Sequence, residues 1–122
     1  MKTKVHQKLL ADAMKMMRGL ISKEKLSAFS FVRLDAASFY VSLAGGNDMI
    51  QLTFRLKGDH REEGVVMVPG HYFDRFIQVM DGEVSIEGDF GSAVSISDAR
   101  CKFNVGAAND DAYVALLGPK ED

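Results

Sequence analysis

Three groups of side chains in this 122-residue sequence have chemistry to offer: an Asp-His-Glu-Glu cluster, a single cysteine and a set of N-terminal lysines. Asp59, His60, Glu62 and Glu63 supply carboxylate and imidazole donors of the kind that bind divalent ions. They fall within Gly58–Gly64 (GDHREEG), where no apolar period predicts a rigid element to turn them to one side. The segment therefore reads as a solvated connector, and no metal ligand is assigned. The other histidines, His6 and His71, do not form an H-x-x-x-H pair with each other or with His60. Cys101 stands among alternating apolar residues with no histidine close in sequence, so it reads as a small core residue and not as a nucleophile. No glycine pattern that cradles nucleotide phosphates is present, and there is no G-x-S-x-G elbow. No catalytic residue and no cofactor follow from the sequence, and an enzyme is not expected.

The lysines are the stronger signal. Residues 1–25 hold seven Lys or Arg against Asp12 and Glu24, a local charge of +5, while residues 26–122 carry eight bases and fifteen acids, a charge of −7. Such a split fits one surface that accepts a polyanion on an otherwise acidic body; it also fits a helix that is merely solvated by its lysines.

The elements that would carry these groups appear in residues 68–88, VPGHYFDRFIQVMDGEVSIEG. Tyr72, Phe73, Phe76, Ile77 and Met80 follow helical spacing behind Pro69, which needs no amide donor at a helix start. Asp81-Gly82 ends the helix, and Val84 and Ile86 then alternate with polar residues as in a half-buried strand. Sixty-three residues earlier, Val5, Leu9, Leu10, Ala13, Met14 and Met17 stand where Val68, Tyr72, Phe73, Phe76, Ile77 and Met80 stand later. Met14, Met16 and Met17 read as core filler. Three strands are expected after each helix: 29–34, 38–43 and 50–57, then 83–87, 93–97 and 101–105. Asp35-Ala36-Ala37, Gly45–Asp48, Asp89-Phe90-Gly91 and Ser97-Asp98-Ala99 suit the turns between them. The predicted fold class is α+β: two βαβββ units in one domain, with two helices packed on antiparallel sheet whose other face is polar. The halves are placed at 1–57 and 64–112, the connector at 58–63 and a C-terminal tail at 113–122.

The chain holds one cysteine and no run of 18 apolar residues, and its N-terminus lacks the apolar core of a secretion signal. A cytoplasmic protein without a membrane segment is expected.

The ordered set GVVMVPGHYFDRFIQVMDGEVSIEGDFGSAVSISDARCKFNV (64–105), with KLLADAMKMMRGLIS (8–22), resembles the N-terminal domain of the bacterial sliding clamp, the β subunit of DNA polymerase III. Val-Pro opening a helix, a following D/E-G-E-V strand and a final strand matching Arg100–Val105 carry the likeness, which covers about residues 1–112. Where the family has T-L-P after its first helix, this chain has Lys25-Leu26-Ser27-Ala28. The family closes six such domains into a ring, helices lining the hole, and duplex DNA passes through it; one domain alone would have to self-assemble.

The resemblance implies sequence-independent duplex DNA as partner, with Lys8, Lys15, Arg18, Lys23 and Lys25 as the phosphate contacts, in a tethering or processivity role beside replication proteins. It also implies a homo-oligomer interface at Arg100, Lys102, Phe103 and Val105, although Phe103 fits the domain's own core equally well. The family's peptide-docking pocket belongs to its later domains and maps onto no residue here. The alternative is an interaction module that pairs its edge strands with another protein and leaves DNA alone.

Overall fold

Leu10, Ala13, Met14 and Met17 recur at i, i+3, i+4 and i+7, and the first helix, α1 (Gln7–Met17), turns this stripe inward until all four are buried. The computed structural model describes residues 1–23, 28–89 and 92–106. The element order is β1 (Lys2–His6), α1, a 3-10 turn (Ala28–Ser30), β2 (Phe31–Ala37), β3 (Tyr40–Gly46), β4 (Gln51–Glu62), β5 (Gly64–Pro69), α2 (Gly70–Val79), β6 (Glu83–Glu87), β7 (Val94–Ser97) and β8 (Lys102–Val105). Both βαβββ units are present.

The two helices start differently. His6 caps α1, its Nδ1 accepting from the Lys8 amide at 3.2 Å. Pro69 takes the same position before α2, with no side-chain bond. After α2 the chain extends at Met80 and turns at Gly82, whose φ of 71° lies in the left-handed region that costs glycine little.

The strands form one antiparallel sheet in the order β5-β2-β3-β4-β1-β6-β7-β8. Under the repeat, the pairings β1–β6, β2–β3 and β3–β4 correspond to β5–β2, β6–β7 and β7–β8. The β1–β4 pairing has its counterpart in β5–β8, which is not formed, so the sheet is nearly closed and opens there. Its concave side wraps the helices. Leu10, Met14, Met17, Phe73 and Ile77 meet Val5, Leu34, Leu43, Val68, Val84, Ile86 and Ile96 in one core cluster.

Several expectations are corrected. Residues 58–62 are strand and not connector: β4 runs on to Glu62, and Gly58, Asp59, His60 and Glu62 pair with Val5, Lys4, Thr3 and Lys2 of β1. Only Glu63 separates β4 from β5. The first hairpin turns at Ser38-Phe39, two residues later than expected, because β2 stays paired to β3 as far as Ala37↔Tyr40. Asn47 makes the next turn by accepting from the amides of Met49 and Ile50 at 2.9 and 2.8 Å. Met16 is exposed and fills no core. The outer face of the sheet is not wholly polar, since Met67 is buried there under Phe29 and Phe31. The expected turn at 89–91 is described only at Asp89, and the tail at 113–122 lies outside the described residues.

Candidate functional site

The helices lie antiparallel. At one end Gln7 Nε2 donates to the Ile77 carbonyl at 2.9 Å; at the other Arg18 reaches Asp74. With its apolar stripe on the sheet, α1 presents Lys8, Asp12, Lys15 and Met16 to solvent. Lys8 and Lys15 are seven residues apart, two turns of helix, and so share one face. Four of the five expected phosphate contacts fall in described residues and are exposed; Lys25 lies outside them.

Arg18 is not a free cation. Its Nε donates to Asp74 Oδ2 at 2.7 Å and its Nη2 to Asp74 Oδ1 at 3.2 Å. Asp74 is 8% exposed and accepts a further bond from Gln78 Nε2 at 3.1 Å. The hydrogen bond and then the charge of Asp74 hold the guanidinium above its ordinary value. Lys23 lines a cleft with Arg18, His71 and Arg75 that Lys8 and Lys15 do not enter. Arg75, on α2, is a cation that was not among the expected contacts; its exposure on the polar face was the available signal.

The expected interface residues lie at the terminal strand of the sheet. Lys102 and Asn104 are exposed, while Phe103 and Val105 turn inward. Phe103 stacks on Phe76 of α2 at 3.9 Å between ring centroids with planes 6° apart, and Tyr72 follows Phe76 at 6.3 Å. Phe76 is therefore half-buried at the rim and not a deep core residue. Arg100 Nη2 donates to the Val79 carbonyl at 3.3 Å, at the end of α2. Asp98 orders the turn before β8: its Oδ1 accepts from the amides of Arg100 and Cys101, both at 2.8 Å, and its Oδ2 from the amide of Asp81 at 3.0 Å. These bonds hold its carboxyl far below the usual carboxylate range. Burial, then Asp98, pushes the half-buried Cys101 thiol up, which disfavours the thiolate.

A further open edge, besides the terminal strands β5 and β8, was not foreseen. β3 pairs with Gln51–Lys57 of β4, but β1 pairs only with the part from Gly58 onward. Gln51–Lys57 thus has one side without a strand. Thr53, Arg55 and Lys57 are exposed along it, Leu52 and Phe54 are half-buried, and Ile50 and Met49 are exposed at its start.

The carboxylates of the former connector are spread out. His60 spends its ring on Thr3 Oγ1 (2.6 Å from Nδ1) and the Tyr40 carbonyl (2.9 Å from Nε2). Glu63 accepts from the Ser38 amide at 2.7 Å. Among the described residues no group of three or more His, Cys, Asp or Glu could hold a metal ion, and no helix is long and apolar enough to cross a membrane.

No protein-family model and no curated protein matches the chain. Solved structures do. A Helicobacter pylori beta clamp bound to a DNA ligase peptide superimposes with a TM-score of 0.83 at 20% identity, over 91% of this chain and 32% of that one. The Bacillus subtilis DNA polymerase sliding clamp gives 0.82 at 15%, over 93% and 32%, and the Pseudomonas aeruginosa DNA polymerase III subunit beta 0.79 at 18%, over 91% and 31%. The fold is thus that of one domain of a bacterial sliding clamp, and the chain spans about a third of the length of the clamps it matches.

Proposed function

We propose that this chain is a non-catalytic, clamp-like domain that self-associates and tethers itself to duplex DNA without reading its sequence. The observation that carries the reading is the outward face of α1. The stripe Leu10-Ala13-Met14-Met17 commits the other face to the core, which leaves Lys8 and Lys15 exposed two turns apart on the surface facing away from the sheet. Lysines so placed attract phosphate through charge alone, which is the condition for sliding.

A single clamp-like domain does not surround a duplex, and in this reading contacts between copies supply the rest. β8 and the free side of Gln51–Lys57 are two different unpaired edges, and a contact that joins one to the other is head-to-tail. Contacts of that kind close into rings when the rotation per copy allows it. Replication proteins are the partner class that fits a tether of this kind, as the ligase peptide on the Helicobacter pylori clamp illustrates.

A specific observation favours the second reading, an interaction module that does not bind DNA. The two edges named above are cationic: Arg55 and Lys57 on one, Arg100 and Lys102 on the other, with no acid in 51–57 or 100–105. Two copies meeting there bring like charges together, whereas an acidic strand of another protein does not.

Light scattering at micromolar concentration, with and without a short duplex, separates the two. An oligomer that takes up duplex supports the tether. A monomer at every concentration, or an absence of duplex binding at low salt, overturns it in favour of the module.

A further inference from the structure

Three adjoining clefts form a belt across the start of α2. The first is lined by Arg18, Lys23, His71, Asp74 and Arg75. The second shares Lys23, His71 and Arg75 with it and adds Phe31, Pro69 and Tyr72. The third shares Phe31, Pro69 and Tyr72 with the second and adds Phe76 and Val105. The belt is therefore continuous, and its chemistry changes along it from cationic to apolar.

The cationic end has charge to give. Its one carboxylate among the described residues, Asp74, is held by Arg18 at 2.7 Å, and His71 donates from Nε2 to the Ile21 carbonyl at 3.2 Å. Lys23 and Arg75 have no ion-pair partner among the described residues. The apolar end is open as well. Tyr72 is 53% exposed, and its ring continues the stack that runs through Phe76 to Phe103.

We propose that this belt binds an extended segment of a partner protein that carries acidic residues at one end and a bulky apolar residue at the other. The acids meet Lys23 and Arg75. The apolar side chain settles among Phe31, Tyr72, Phe76 and Val105, where a rigid aromatic surface gives contact area at little entropic cost. Complementarity of charge selects this occupant over a nucleic-acid strand. A strand carries a phosphate at every nucleotide, yet Phe31, Pro69, Tyr72, Phe76 and Val105 offer no cation to the part that would cross the apolar end. Neither Lys8 nor Lys15 lines the belt, so the variants below test it without touching the residues that carry the DNA reading.

The test uses the whole chain and two fluorescein-labelled peptides, Asp-Asp-Gly-Leu-Phe-Leu and its reverse, each about 20 Å long when extended. Fluorescence anisotropy should show one orientation bound, with affinity falling about tenfold or more in Lys23→Glu/Arg75→Glu and in Tyr72→Ala. All three positions are exposed, and circular dichroism verifies folding of each variant. The same peptide with Lys-Lys in place of Asp-Asp should bind the charge-reversed variant about tenfold better than it binds the wild type. The proposal is overturned if acidic and basic peptides bind wild type and variant alike, if neither orientation binds, or if a short oligo-dT binds the wild type more tightly than either acidic peptide.

Discussion

The ring of Phe103 lies parallel to that of Phe76, 3.9 Å between centroids, and so ties the terminal strand of the sheet to the second helix. β8 has a pairing neighbour on one side only, so this stack does part of what a second strand would do. Both rings are half-buried, and either Phe→Ala change should cost about 2 kcal/mol, below the roughly 3–5 kcal/mol of a fully buried phenylalanine. A double-mutant cycle in urea should show a coupling of about 0.5–1.5 kcal/mol. Additive losses would mean that the rings do not support each other.

The turn before β8 predicts a response to acid. The Asp98 carboxyl is lowered, first by the amide of Arg100, then by those of Cys101 and Asp81. A group lowered in the folded state contributes stability that is fully present above its unfolded value of 3.8 and is lost as the pH falls through the folded value. Asp98→Asn cannot accept from all three amides, since one carboxylate oxygen becomes a donor. The variant should melt lower than wild type at neutral pH, and the difference should shrink as the pH drops below about 4. A difference in melting temperature that stays constant from neutral pH into strong acid would contradict this role.

The repeat was legible because burial is a local property of spacing. Leu10 and Phe73, Met14 and Ile77, and Met17 and Met80 each hold equivalent places and are all buried. Leu9 and Tyr72 also match, and both are exposed, as the outer margin of a stripe can be. What could not be read was decided by partners distant in sequence. Gly58–Glu62 is polar and glycine-led, and it becomes strand only because β1 lies beside it. Phe76 belongs to the apolar stripe, but the opening between β5 and β8 leaves it at the rim. Arg18 read as a phosphate contact because its charge was visible and Asp74, 56 residues away, was not.

That ion pair divides the cations into two kinds. Lys8→Glu with Lys15→Glu should flatten the dependence of log K on log salt for duplex DNA by about 1.8, since each neutralised phosphate contributes roughly 0.9 to the slope. Arg18→Gln should leave that slope nearly unchanged, because its charge is already matched by Asp74. It should instead lower the urea midpoint slightly, as a largely buried carboxylate loses a partner that is itself half exposed. A salt titration of each variant against a urea melt checks both halves. A slope reduced by Arg18→Gln alone would return Arg18 to the phosphate surface.

Association between copies should strengthen with salt. Arg55 and Lys57 flank one open edge and Arg100 and Lys102 the other, so a head-to-tail contact sets cations against cations while backbone groups and the half-buried apolar residues Leu52 and Phe54 favour it. Screening shortens the reach of that repulsion from about 14 Å near 0.05 M salt to about 4 Å near 0.5 M. Hydrogen bonds and apolar contacts of a sheet junction are affected far less. The average mass from light scattering should therefore rise between these two conditions at fixed protein concentration, and Lys102→Gln should raise it already at low salt. Acidic partners behave in the opposite way, since salt weakens attraction between unlike charges. A mass that is flat in salt, together with tighter binding of an acidic strand at low salt, would assign both edges to partners other than a second copy of this chain.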